Sequence, residues 1–358
     1  RRDKAALSGL CCRHGQSWSE PPMSIQTPPH ISVIMPVYNA GRTLAEALDS
    51  LIEQQYENWE LVVADDGSTD DSPRILREYA ARDARIRLCG GPHAGIVSAL
   101  RLACAEAHGA LLARMDADDI ALPGRLSMQA AMFQADPALD LCGGQVLPLG
   151  ATPGSGRIRY ESWINSLVHH EEIVREIFVE CPIPHPTFMM RRAFLKCLGG
   201  YRQGAWPEDY DLVLRAWMAG ARFGKPDAPL LRWREHPGRL SMTDPRYSPA
   251  AFRAMKRHYL FQTYLKRREG AFIQWGAGEV GKRWLREWPQ APAAVVDVHP
   301  RKIGRSIHGV PVISQDALPP PGTCFIVVAV GARGARDDIR ARLEPGNYRE
   351  LKDYLFIA

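Results

Sequence analysis

Ile31-Ser32-Val33-Ile34-Met35-Pro36 is a short apolar run rich in β-branched residues, with no alternation of polar and apolar positions. A strand of that kind is buried on both faces, as in a parallel sheet. The loop Val37-Tyr38-Asn39-Ala40-Gly41 follows, and then Leu44, Ala47, Leu48, Leu51 and Ile52 recur at helical spacing. Glu60-Leu61-Val62-Val63-Ala64 reads as a second strand and ends in the turn-rich Asp65-Asp66-Gly67-Ser68-Thr69-Asp70. A helix carrying Ile75, Leu76 and Tyr79, a strand Arg85-Ile86-Arg87-Leu88, a helix from Gly95 to Ala107 and a strand Ala110-Leu111-Leu112-Ala113-Arg114-Met115 complete the rhythm. Strands alternating with helices build a parallel or mixed sheet with helices on both faces. Ligands of such sheets bind at the carboxyl ends of the strands.

Working outward, the 358 residues suffice for two or three domains, and 46% apolar with 24% charged residues is the ordinary globular range. The net charge of +5, from 45 basic and 40 acidic residues, is too mild for a dedicated nucleic-acid binder and suits an enzyme handling anionic phosphates. The eight cysteines form no C-x-x-C pair and no zinc spacing, which predicts reduced thiols and a cytoplasmic protein. No apolar run approaches the roughly 18 residues that span a bilayer. Residues 1–29 are polar and lack a secretory core, and are expected to be a disordered extension.

From about Asp140 to Pro237 the pattern is less regular, apart from a helix from Glu208 to Ala219. Between 246 and 269 Phe252, Met255, Tyr259 and Tyr264 lie among basic residues, as in an amphipathic connecting helix. Its basic face would also suit an anionic acceptor or a peripheral contact at the inner face of a membrane. After Gly270 strands and helices alternate again, so the expected domains are 30–245, the connector 246–269 and a smaller α/β unit over 270–358. In that unit Gly276-x-Gly278-x-x-Gly281 follows one strand and Asp297 ends the next, the context of a dinucleotide fingerprint. A nucleotide bound there, or a turn kept glycine-rich for tight packing, explains it equally well.

The chemistry concentrates at the end of the fourth strand, in Met115-Asp116-Ala117-Asp118-Asp119. Three carboxylates in four residues repel one another, and a hard divalent cation would relieve them. Such an ion would also neutralise a departing diphosphate. A lone D-x-D is more often a solvated loop, but here Asp66 and Tyr38 end neighbouring strands at the same sheet edge. Asp66 can accept a hydrogen bond from a base N–H and Tyr38 can stack beneath the base. Pro207 suits a first helical turn, and Glu208 and Asp209 then lie at the positive end of the helix dipole. A carboxylate there can take the proton of an attacking hydroxyl.

The segments from Ser32 to Asn39, from Leu61 to Asp70, and from Ala113 to Ile120 and on through Pro123-Gly124-Arg125-Leu126 closely resemble family 2 glycosyltransferases, over roughly residues 30 to 240. The resemblance implies a GT-A fold, an inverting transfer from a nucleotide-sugar, most often a UDP-sugar, and Mg or Mn. It makes Pro36, Tyr38, Asp66 and Asp116 nucleotide-sugar contacts, Asp118 the metal ligand and Asp209 the general base beside Glu208. Arg125, in the matching segment, is a further candidate. His236 resembles a segment near the donor phosphates, and His185, in its rigid frame of Pro184 and Pro186, lies where the family lines its acceptor side. Arg101 departs from the pattern, standing where relatives have asparagine. The acceptor is left open among a glycan, a lipid-linked sugar, a protein side chain and, since Arg159 to Asn165 resembles transferases that modify a tRNA base, tRNA.

Two other readings compete. A dinucleotide-dependent sugar oxidoreductase would use Gly276, Gly278, Gly281 and Asp297. A non-catalytic sugar-nucleotide binder would have no need of Asp116, Asp118 and Asp209.

Overall fold

The computed structural model describes residues 31–150, 154–266 and 271–358; the extension expected over 1–29 lies outside the described residues. The chain divides into two compact units. The first holds the described residues up to Ile173 together with Pro182–Gly204 and Glu208–Thr243. The second holds Val174–Cys181, Ala205–Pro207 and the described residues from Asp244 onward.

In the first unit the strands are β1 (Ile31–Val37), β2 (Trp59–Asp65), β3 (Ile86–Gly90), β4 (Leu111–Arg114), β5 (Ile120–Ala121), β6 (Leu139–Cys142), β7 (Gln145–Leu149), β8 (Met189–Arg191), β9 (Arg222–Gly224) and β10 (Pro229–Arg234). Seven of them form a sheet in the order β3-β2-β1-β4-β8-β6-β9. β1, β2, β3 and β4 run parallel, as the alternation of strands and helices predicts, while β8 is antiparallel to both β4 and β6. The sheet is therefore mixed, with Val33, Met35, Leu61 and Val63 fully buried against Leu44, Leu48 and Leu51 of helix Leu44–Ile52. A second sheet, β5-β10-β7, lies beside the chemistry-bearing loop, with Leu231 of β10 opposite Ala121 of β5.

One polar clamp ties the amino ends of the four parallel strands. Ser32, second residue of β1, donates to Glu60 Oε1 at 2.6 Å, and Glu60 is the second residue of β2. Arg87, second residue of β3, reaches Glu60 Oε2 at 3.0 Å. Just before β4 the His108 amide donates to Glu60 Oε1 at 2.7 Å and the Gly109 amide to Ser32 Oγ at 2.7 Å. A carboxylate so buried survives only because every lone pair is used.

The second unit contains β11 (Phe272–Trp275), β12 (Ala294–Val296), β13 (Ser306–Ile307), β14 (Val310–Ile313), β15 (Phe325–Val328) and β16 (Tyr354–Phe356), in the order β13-β14-β12-β11-β15-β16. All neighbours are parallel except β13 and β14. The expected connector is the helix Pro249–Leu260, continued by a wider turn over Phe261–Leu265. Met255, Tyr259 and Leu260 are its buried face. Two of its basic residues, Arg253 and Arg257, pair with Glu287 of the same unit, so part of its charge is neutralised internally. No helix among the described residues is long and apolar enough to cross a membrane. The described cysteines are free thiols.

Burial alone would raise the Glu60 carboxyl, but hydrogen bonds from Ser32, the His108 amide, Arg87 and the His108 ring hold it down at about 2. A depressed carboxylate contributes stability that is present above its unfolded value of 4.5 and is lost as pH falls towards about 2. Glu60→Gln is therefore expected to lower stability by about 1–3 kcal/mol at neutral pH. In denaturant titrations the gap to the wild type should close as pH falls from 4.5 towards 2; a gap constant over that range refutes the clamp.

Candidate functional site

The carboxyl ends of the parallel strands carry the candidate residues. After β4 the chain turns through Asp116-Ala117-Asp118-Asp119, and ligand oxygens of Asp116, Asp118 and Asp119 all lie within 4.8 Å of one another. Asp119 is the buried member, and its Oδ2 has no hydrogen-bond partner. Burial, with the Asp116 and Asp118 carboxylates beside it, pushes the Asp119 carboxyl well up. An orphaned carboxylate oxygen in a set of three hard oxygen donors fits a divalent cation such as Mg or Mn. The described residues that match this donor set are Asp116, Asp118 and Asp119.

The loop is held from two sides. The Arg234 amide, at the end of β10, donates to Asp119 Oδ1 at 2.8 Å, and Arg234 Nε donates to the Asp118 carbonyl at 2.7 Å. Thr43 Oγ1 donates to the Ala117 carbonyl at 3.1 Å. His236 Nε2 lies 2.9 Å from Asp118 Oδ2, so the structure brings His236 to the acidic loop.

Beneath the loop lie two buried guanidiniums. Arg114 is only 3% exposed and pairs with Asp116. Arg125, fully buried, donates through Nη2 to the Arg114 carbonyl at 2.5 Å. Burial, with Arg114 nearby, pulls Arg125 down to about 10. Arg125 thus supports the end of β4 from inside.

At the neighbouring strand ends Tyr38 is half-exposed and Pro36 partly buried. The Asp66 carboxylate accepts from the Ala94 amide at 2.8 Å and the Gly95 amide at 2.9 Å, which fixes the loop after β3. Asn39 accepts from the Thr69 amide at 2.8 Å, and its own amide donates to Ser68 Oγ at 2.9 Å, joining the loops after β1 and β2.

The helix Glu208–Met218 begins with Glu208 buried and Asp209 partly buried. Burial first, then the Glu208 carboxylate, pushes the Asp209 carboxyl up to about 7, while Arg114 opposes the shift. Arg215 anchors the helix by pairing with Asp211 at 2.8 Å and donating to the Leu198 and Gly200 carbonyls. Arg101 donates to the Tyr201 carbonyl at 2.7 Å, so the departure from the family pattern serves the same turn. His185 is buried, with Nε2 3.0 Å from the Tyr201 hydroxyl and Nδ1 3.9 Å from Glu208 Oε1. Burial, and then the positive field of Arg114, pulls the His185 imidazole well down, so the ring is neutral. Its two nitrogens face protein groups.

In the second unit Asp297 Oδ2 pairs with Lys302 at 2.8 Å and accepts from the Ala277 amide at 3.2 Å. Gln274, beneath the glycine turn, donates to the Gly276 and Gly281 carbonyls at 2.8 and 3.0 Å. Gly276 has φ +114°, and a Cβ on Gly281 would run into the Gly276 carbonyl oxygen. Gly278 has open space where its Cβ would be. Two of the three glycines are thus required by backbone conformation and strand–helix contact.

Sequence reading missed Arg114 and Tyr201. Arg114 alone left a signal, a charge closing the apolar run Leu111-Leu112-Ala113.

Comparison with known proteins identifies the family. The family model described as Glycosyl transferase family 2 matches residues 32–199. The chain is 35% identical over 199 residues to the candidate glycosyltransferase EpsE of Bacillus subtilis (strain 168), covering 54% of this chain and 69% of EpsE. It is 39% identical over 104 residues to the UDP-Glc:alpha-D-GlcNAc-diphosphoundecaprenol beta-1,3-glucosyltransferase WfgD of Escherichia coli, covering 29% of this chain and 40% of WfgD. Among solved structures, S. aureus TarS 1-349 in complex with UDP-GlcNAc has the same fold at TM-score 0.51 and 20% identity, over 67% of this chain and 69% of that one. With its carboxylate loop, acidic helix and strand order in place, the chain belongs to glycosyltransferase family 2.

Proposed function

We infer that the protein is an inverting transferase that moves a sugar from a nucleotide-sugar, a UDP-sugar, to an acceptor hydroxyl. The observation that carries this reading is the cluster of Asp116, Asp118 and Asp119 at one sheet edge with Tyr38 and Asp66. In this reading Tyr38 and Asp66 hold the base, with Pro36 beside them, and Asp116 and His236 border the diphosphate. Asp116, Asp118 and Asp119 would hold Mg or Mn. The cation, when bound, offsets negative charge on the leaving diphosphate.

Inversion needs a single base on the face opposite the leaving group, and Asp209 is assigned that role. A carboxyl near 7 is half ionised at neutral pH and strong enough as a base to take a hydroxyl proton as attack proceeds. Glu208 contributes the charge that keeps it there. The WfgD name favours a lipid-linked saccharide as acceptor class, which would place the protein in the cytoplasm at the inner face of a membrane. The unit from residue 270 onward does no redox chemistry in this reading, and its glycine turn serves packing.

Asp118→Ala is expected to abolish metal-dependent turnover of the donor and leave the thermal unfolding curve in place. Nucleotide release from a panel of UDP-sugars, with and without chelator, checks it. Full activity in excess chelator would remove the metal from the scheme.

Asp209→Asn should keep donor affinity and slow transfer by about 10²–10⁴-fold. Because the working form is the carboxylate, wild-type turnover should fall as pH drops below about 7 and level off above it. Loss of donor binding in Asp209→Asn, or a flat wild-type profile between pH 5.5 and 8.5, would displace Asp209 from the role.

A further inference from the structure

The loop between β3 and the helix Ile96–Glu106 carries a residue that the reading above leaves without a role. The His93 ring lies face to face with Tyr38, centroids 4.1 Å apart and planes 22° from parallel. Its Nδ1 is 2.8 Å from Asp66 Oδ2 and 3.2 Å from the Asp66 carbonyl. The Tyr38 residue and the His93 side chain are 49% and 53% exposed, so neither ring belongs to the core.

The placement is built into the backbone. Gly67, at φ +74°, lets the loop approach so closely that a Cβ there would sit 2.7 Å from the His93 amide nitrogen. On the other side Asp66 grips the Ala94 and Gly95 amides. The main chain of His93 is thereby fixed on both flanks, while its side chain turns on two rotatable bonds against the Tyr38 face and the carboxylate and carbonyl of Asp66.

A flat ring over Tyr38 and an N–H aimed at Asp66 are the two contacts a nucleobase needs at this edge. We propose that His93 occupies the nucleobase position in the free protein and swings out when a nucleotide enters, acting as an internal competitor that sets donor affinity. The proposal rests on Tyr38 and Asp66 being the base contacts. The Asp66 carboxylate accepts hydrogen bonds from the Ala94 and Gly95 amides, so it suits a ring that donates one. Uracil meets that through its ring N–H and, like imidazole, is a single planar ring, so one replaces the other without rebuilding the loop. Nucleotide binding is weakened by the fraction of molecules in which the slot is already filled.

The test is UDP binding by calorimetry to the full chain in the presence of Mg. His93→Ala frees the slot and should bind UDP about five- to tenfold more tightly, as when a competing state is removed. His93→Phe keeps the stacking and loses the N–H, and should fall between the two. Both changes are at a half-exposed side chain, and unfolding curves will match the wild type. Weaker UDP binding by His93→Ala would make His93 a ligand of the nucleotide, and unchanged binding would place it outside the base position; either overturns the proposal. Tyr38→Ala in the His93→Ala background separates this from failure of the underlying reading. It should lose more than the gain, whereas affinity unchanged by removing Tyr38 means that Tyr38 is no base platform. Absence of UDP binding by wild type and His93→Ala alike overturns both.

Discussion

A guanidinium inside the protein is the constraint on which the site depends. Arg114 ends β4 almost without exposure, and a charge withdrawn from water in this way persists only with a close counter-charge. Asp116 supplies it, and Arg125 fixes the backbone carbonyl behind it. The acidic loop therefore starts from a rigid point. The same positive charge acts on the Asp209 carboxyl, opposing the rise that burial and Glu208 impose. One buried residue thus bears on the carboxylates proposed for the metal and on the carboxylate proposed for the base.

The four parallel strands and their loops were legible because three are largely apolar runs, β3 alternates Ile86 and Leu88 with basic residues, and helical spacing separates them. Those two signals survive without tertiary context. β6, β8 and β9 were not legible: with four, three and three residues they are too short to establish a period, and β8 runs against its neighbours. The Asp118–His236 contact joins residues 118 positions apart, and spacing alone could not reveal it. His185 shows the converse. Its proline frame is plain in sequence, but only packing tells that both ring nitrogens turn towards Tyr201 and Glu208.

The glycine turn after β11 teaches a related lesson. Gly276, Gly278 and Gly281 have the spacing of a phosphate cradle, and Asp297 the position of a ribose ligand. Gln274 bonds the carbonyls of Gly276 and Gly281 from below, and Lys302 pairs with Asp297, all within the unit. Lys302, with the amides of Ala277 and His299, holds the Asp297 carboxyl below its ordinary value in spite of burial. The carboxylate at the ribose position thus already has partners inside the unit.

The clamp of Ser32, Glu60, Arg87 and His108 has a consequence for how such a protein changes over time. It fastens the parallel strands at the rim opposite the loops that carry Tyr38, Asp66 and Asp118. The registration of the sheet is secured without help from the loops that would meet donor and acceptor. Beyond the contacts of Asn39, Asp66 and Gly67 that join them, those loops can change side chains, since surface segments tolerate change that strand pairing does not. A lineage can therefore exchange one sugar or acceptor for another at one rim while its scaffold, secured at the far rim, goes on folding unaltered.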